Sequence, residues 1–179
     1  MTKTKDNSPH WYAARVKYRT EHKIKAFLEE KEMKHFIPFR RVAMERNGKK
    51  IQKDKPVISC LIFVYTDYHT ALSLPVESGF SITYIRNIET KKVQVIPDKQ
   101  MQDFMLILDL SETGGIQILT QNLKRGDKVR VIKGVFTGVE GELVRIKGHK
   151  RVVVRLEGVF SLATTYIPSE YLELIESPE

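Results

Sequence analysis

With 179 residues, 41% hydrophobic and 29% charged, the chain has apolar material for one medium domain or two small ones and too little for a large multidomain enzyme. No run approaches the roughly 18 apolar residues of a membrane span, the leader MTKTKDNSPHW lacks the apolar core of a secretory signal, and the single Cys60 can close no intramolecular disulfide. Membrane, secreted and cysteine-rich metal classes are thereby set aside, the expected location is the cytoplasm, and the formal charge of +8 is uneven: residues 1–55 hold 16 Lys and Arg against 7 Asp and Glu, residues 56–179 hold 14 against 15.

A basic first third is the electrostatic footprint of a polyanionic partner, because each neutralised phosphate releases condensed counterions; a merely solubilising face has the same composition. HWYAARVKYR (10–19) alternates Trp11, Ala13 and Arg15 against Tyr12, Ala14 and Val16 and predicts a first strand. TEHKIKAFLEEKEMK (20–34) changes period, with Ile24, Phe27 and Leu28 on one face and Thr20 as N-cap, and predicts an amphipathic helix. HFIPFRRV (35–42) contains Pro38, which suits an edge strand or an extended connection. ERNGKKIQKDK (45–55) sets a turn-forming Asn47-Gly48 inside a basic run and predicts a protruding hairpin or loop.

PVISCLIFVY (56–65) is almost continuously apolar, as a central strand covered on both faces would be. FSITYIR (80–86) and KKVQVIP (91–97) predict short strands; PDKQMQDFMLILDL (97–110) then places Met101, Phe104, Met105 and Leu108 at helical spacing behind Pro97 and Asp98. The order predicts an α+β first domain over residues 8–110, an antiparallel sheet flanked by helices. Residues 111–123, within SETGGIQILTQNLKR, carry Gly-Gly and no clear period and read as a linker. Over 124–179, KVRVI, GELVRI, RVVVRL, FSLATTYI and YLELI are five β-like runs without helical pattern, the signature of a small barrel.

Five glycines punctuate GDKVRVIKGVFTGVEGELVRIKG (126–148). Gly134 and Gly138 bracket a tight loop and Gly141 stands where a strand must start or bend, positions that favour a residue without Cβ. A phosphate-binding loop would require a Gly-Lys-Ser/Thr ending and a following helix, and neither is present. His10, His22, His35, His69 and His149 show no ligand spacing, and no Ser, Cys or carboxylate sits in a nucleophile motif, so no metal, cofactor or catalytic residue is expected.

GDKVRVIKGVFTGVEGELVRI resembles the KOW motif, while WYAARVKYRTEHKIKAFLEE, LIFVY, and ITYIR followed by VIPDKQMQDFM resemble in order the opening strand and helix, the central strand and the approach to the last helix of the NusG N-terminal domain. The resemblance spans about residues 10–176. It implies an N-terminal α+β domain joined to a small SH3-like KOW barrel, in a monomeric, non-enzymatic factor for transcription elongation or antitermination. Ser59, Cys60 and Leu61 replace the usual Pro-Gly-Tyr or Pro-Asn-Tyr, and with the basic 40–55 segment they are more similar to the specialised RfaH and UpxY types, antiterminators of operons such as those for polysaccharide biosynthesis.

By the same resemblance, Leu61 and Phe63 of the central strand, with Arg15 and Tyr12 of the first, dock on the clamp helices of the RNA polymerase β′ subunit. Apolar residues on both sides of that strand equally suit a plain core. Lys17, Arg19, Lys23 and Lys25 are implied to face non-template DNA or nascent RNA, with Tyr18 as the nearest stacking side chain. Phe136 and Phe160 are the candidates for a ribosome or Rho contact by the barrel, and Gly134, Gly138 and Gly141 are its turn glycines. The reading from another class is a KOW-containing RNA- or ribosome-binding protein.

Overall fold

The structure is a computed structural model that describes residues 7–110, 117–119, 126–156 and 159–176. The chain divides into two compact units, Met1–Val95 and Ile96–Glu179.

The first unit opens with β1 (His10–Val16) and α1 (Glu21–Glu30). Thr20 occupies the N-cap position, but its hydroxyl donates to the Lys17 carbonyl at 2.5 Å instead of accepting from the first turn of the helix. The edge strand β2 (His35–Phe36) follows, then β3 (Phe39–Arg46) and β4 (Lys49–Pro56), which pair only with each other as a two-stranded ribbon. Asn47 and Gly48 turn the ribbon at φ of 53° and 72°, the doubly left-handed geometry of a type I′ hairpin, whose twist matches that of its strands.

The expected strand over 56–65 is in fact two elements: Pro56 ends β4, and β5 (Leu61–Thr66) begins only after Cys60, whose φ is 62°. That left-handed backbone is fixed by a distant partner, since the Cys60 N–H donates at 2.8 Å to the buried carboxylate of Glu21 at the start of α1. A helix absent from the sequence reading follows, α2 (Tyr68–Ser78). Asp67 caps it by accepting from the amides of His69 and Thr70, and Gly79, at φ 66°, ends it. The Thr70 hydroxyl, donating to Asp67 at 2.6 Å, is the main cause that holds this carboxyl below its ordinary range. β6 (Ile82–Tyr84) and β7 (Val95–Ile96) complete the series to the unit boundary.

Antiparallel pairing gives the sheet order β2-β5-β1-β6. One side of this sheet, with Tyr12, Ala14, Val16, Ile62 and Val64, packs on Ile24 and Leu28 of α1 and Ala71 and Leu74 of α2 to form the core. Each fully buried aliphatic or aromatic side chain in it contributes about 1.5–3 kcal/mol.

The second unit contains α3 (Asp98–Asp109), which runs along β11 (His149–Leu156) and β12 (Phe160–Tyr166) of the same unit. β8 (Gln117–Leu119) falls inside the stretch read as linker and pairs with β12; the rest of 111–123 lies outside the described residues. β9 (Lys128–Val131), β10 (Glu140–Ile146), β11 (His149–Leu156), β12 (Phe160–Tyr166) and β13 (Leu172–Glu176) match the five β-like runs. All pair antiparallel in the order β13-β9-β10-β11-β12-β8, around buried Val129, Val131, Val153, Leu156, Leu162 and Ala163. The molecule is thus α+β throughout, a helix-flanked sheet followed by a small β domain.

Candidate functional site

Register decides which residues share a face. β1 and β5 pair Trp11 with Tyr65, Ala13 with Phe63 and Arg15 with Leu61, and β2 sets Phe36 opposite Phe63. Directly opposed residues of an antiparallel pair point to the same side. Trp11, Ala13, Arg15, Leu61, Phe63, Tyr65 and Phe36 therefore form one face, on the side of the sheet away from α1 and α2. Its rings pair within it: Phe36 and Phe63 lie 6.1 Å apart and Trp11 and Tyr65 5.3 Å apart. The Lys34 ammonium sits 4.3 Å from the Tyr65 ring centre and 5.5 Å from that of Trp11, a cation–π contact at the margin of the face.

Tyr12 is not part of this face. It alternates with Arg15, lies 1% exposed in the core beneath α1 and α2, and meets Tyr84 edge-on at 6.2 Å. Leu61 and Phe63 are buried at 3% and 0% exposure, with Trp11 at 4%, whereas Arg15 is exposed at the end of the face. Trp11, Phe36 and Tyr65 were missed by the sequence reading, although alternation out from Leu61 and Phe63 reaches Tyr65 directly.

The four cations proposed from resemblance do not form one cluster of equal groups. Lys17, Arg19 and Lys23 are exposed, on the turn after β1 and the first turn of α1. Arg19 has φ 66° and places its guanidinium 5.2 Å from the ring centre of Tyr18, which is 63% exposed. This arginine–tyrosine stack presents a cation and a π-face together. Lys25 instead pairs with Glu29 one turn on, at 3.4 Å.

In the β domain, Phe136 is 7% exposed and acts as a core residue, with its amide neighbourhood closed by the Val139 N–H to Phe136 carbonyl bond at 3.0 Å. The Phe160 side chain lies outside the described residues. Gly134 and Gly138 have φ of 86° and 90°, and a Cβ on Gly141 would lie 2.6 Å from the Val153 carbonyl oxygen, so the first two serve the turn and the third a close backbone approach. On α3, Lys99 donates to Asp103 at 2.5 Å and to the Gly138 carbonyl at 2.7 Å, and Asp103 accepts from the Glu140 N–H at 3.2 Å. Burial pushes the Asp103 carboxyl up, against the opposing pull of Lys99 and the Glu140 amide. Among the described residues no group of three or more His, Cys, Asp or Glu is placed to hold a metal ion, and no helix is long and apolar enough to cross a membrane.

No curated protein matches the chain. Among solved structures, that of domain interaction in Thermotoga maritima NusG is similar at 18% identity and a TM-score of 0.41, covering 94% of this chain and 98% of that one. The MjSpt4:Spt5 complex in conformation B is similar at 14% identity and a TM-score of 0.25, covering 94% and 99%. Residues 9–105, from the start of β1 through most of α3, match the family described as transcription termination factor NusG. The chain therefore belongs to the NusG family of transcription elongation factors, proteins that work with RNA polymerase and are not enzymes.

Proposed function

We propose that the chain acts on elongating RNA polymerase as a specialised antiterminator, docking the β1–β5 face on the clamp helices of the β′ subunit. The single observation that supports this is the register that gathers Trp11, Ala13, Arg15, Leu61, Phe63, Tyr65 and Phe36 onto one apolar, aromatic face with a cation at its end. Aromatic and arginine anchors of that kind carry most of the energy of an interface. Residues 8–110 are the polymerase-binding domain in this reading and residues 124–179 a KOW domain for a second partner, ribosome or Rho. Lys17, Arg19 and Lys23, with Tyr18, hold the displaced non-template strand or nascent RNA through phosphate contacts and stacking. Leu61 and Phe63 are buried and Arg15 is exposed, so Arg15 is where a partner first meets this face.

The test is binding of the full-length chain to the RNA polymerase of its own organism. A Phe63→Ala change would cost about 3–5 kcal/mol of folding stability and confuse the result. Arg15→Glu avoids this, since the side chain is exposed. Wild type should bind, and Arg15→Glu should bind roughly tenfold or more weakly while melting as wild type does. Wild-type failure to bind polymerase, with affinity for ribosomes or structured RNA instead, would replace this reading with that of a KOW-type RNA-binding protein.

A further inference from the structure

We propose that the outer edge of β13 is a docking site for an extended segment of a partner protein in which Lys or Arg alternates with apolar residues, added to the β domain as a further strand. The inference stands on the pairing and charge of the β domain alone and does not depend on polymerase binding.

Among the described residues β13 pairs only with β9 and ends the sheet order. The ladder fixes which backbone groups remain to offer. The Ile132 N–H donates to the Tyr171 carbonyl at 2.8 Å, and hydrogen-bonded pairs of an antiparallel ladder recur at every second residue, so Glu173 turns its amide and carbonyl toward Arg130. Val131 gives the same phase from the other side, since its N–H donates away from β13, to the Val139 carbonyl at 2.9 Å. Leu172 and Leu174 therefore direct N–H and C=O outward, the template that an added strand needs.

Side chains define what that strand carries. On one side of the sheet the register lines up Glu140, Arg130 and Glu173 across β10, β9 and β13, and beside them Glu142, Lys128 and Glu176. Both rows run acid, cation, acid. The Arg130 guanidinium is 2.8 Å from Glu140 and 3.3 Å from Glu173, whose side chain is 54% exposed, so the first row ends at the edge on a carboxylate with room for a second cation. From Ile167 to Glu176 the chain has three acids and no Lys or Arg. The other side is apolar, with Leu172 and Leu174 opposite Val131 and Val129. Those valines are buried at 1% and 3%, yet Leu174 is 61% exposed, because among the described residues no strand beyond β13 covers the apolar layer. Cross-strand neighbours favour opposite charge on one side and β-branched packing on the other, so cations at alternate positions with Val or Ile between them complete both layers at once.

A second copy of this edge does not fit, since Glu173 and Glu176 would face their own kind, and nucleic acid would bring phosphates to the same carboxylates. An edge guarded only against self-pairing needs a charge or a bulge, and β13 has both, with the bulge between Leu174 and Glu176. It has no need of an exposed Leu174, or of Ile175 at 39% exposure.

The experiment is fluorescence anisotropy and amide-exchange NMR of the full-length protein, without polymerase, with the end-blocked peptide KVRVKV, which continues the alternation of β9 (KVRV). EVEVEV, of inverted charge, and KKRVVV, of the same composition without alternation, are the control peptides. KVRVKV should bind best and should slow exchange at the outward amides of Leu172 and Leu174, while that of Glu173, already in the ladder, changes little. Glu173→Gln/Glu176→Gln should weaken binding about 3- to 30-fold, as the loss of two cross-strand ion pairs does. Glu77→Gln/Glu89→Gln, which removes equal charge from exposed positions of the first unit, should bind as wild type does. Failure of KVRVKV to bind, equal binding of either control peptide, an unchanged affinity in Glu173→Gln/Glu176→Gln, or binding without slower exchange at Leu172 and Leu174 would each overturn the proposal. Protection of those two amides in the protein alone, rising with its concentration, would assign the edge to a second copy and overturn it as well. Polymerase binding tested with Arg15→Glu is read separately, so either proposal can fail without the other.

Discussion

Replacing Asp103 of α3 by Ala is expected to loosen the second unit by about 1–3 kcal/mol, because the Glu140 N–H that the carboxylate accepts at 3.2 Å is left unsatisfied where water reaches it poorly. Lys99, which bridges Asp103 and the Gly138 carbonyl, loses one anchor in the same step, and with it the tie between the helix and the turn that precedes β10. Asp103→Asn keeps an acceptor for Glu140 and removes the charge, so it should cost less than Ala. The sign of its pH dependence follows from burial. Desolvation raises the folded carboxyl above its ordinary value despite Lys99, so the folded chain binds more protons than the unfolded chain between those two values. Wild type should therefore gain stability relative to Asp103→Asn as pH falls through the raised value, and the gain should level off below the ordinary Asp range. Glu140 works in the other direction, since the hydrogen bond from Arg130 lowers it and its contribution fades in acid in both proteins. Hydrogen exchange of peptides within 126–156 measures the opening of this unit independently of the first. The Ala change should speed exchange about 5- to 150-fold at neutral pH. Unchanged protection in Ala, or a wild type that gains on Asn as pH rises, would show that the Lys99 pair outweighs burial and refute the argument.

Gly141→Ala forces a Cβ to within 2.6 Å of the Val153 carbonyl oxygen while β10 is pinned between β9 and β11, and should cost about 1–3 kcal/mol in thermal or urea unfolding; a melt equal to wild type would mean that the β10–β11 ladder yields freely. Tyr84→Phe should be neutral or stabilising within about 1 kcal/mol, because the Tyr84 hydroxyl is buried without a hydrogen-bond partner among the described residues and burial pushes its titration well up. A loss beyond about 2 kcal/mol would reveal a partner for the hydroxyl.

The parts of the fold legible in the sequence are those encoded by local period and turn chemistry. Ile24 and Leu28, and Met101, Phe104 and Leu108, sit buried on α1 and α3 as helical spacing requires. Asn47-Gly48 makes its hairpin because both residues tolerate positive φ. α2 was not legible because Tyr68, Leu72 and Val76 put an apolar line on its exposed side, with Val76 86% exposed, while Pro75 argues against any helix. Its end signals, Asp67 and Gly79, were present all the same. The break at Cys60 depends on Glu21, 39 positions away, and β8 exists only through its pairing with β12; neither has a local cause. Tyr12 was grouped with Leu61 by likeness to relatives, against the alternation that sets it opposite Arg15.

The same alternation sorts the charge of the first third onto unlike faces. Composition alone makes a solvated halo and a binding face equivalent. On the ribbon, both acids fall on the face where Arg41 and Lys50 oppose them, and the face with Arg40, Lys53 and Lys55 has none. On α1, Lys25 is matched by Glu29 while Lys17 and Lys23 stand exposed near the helix start, where the positive end of the dipole makes added cations unfavourable. An anionic partner of the kind proposed above would relieve the cost of Lys17 and Lys23 at that helix start, which solubility alone, served equally well by any surface position, does not require.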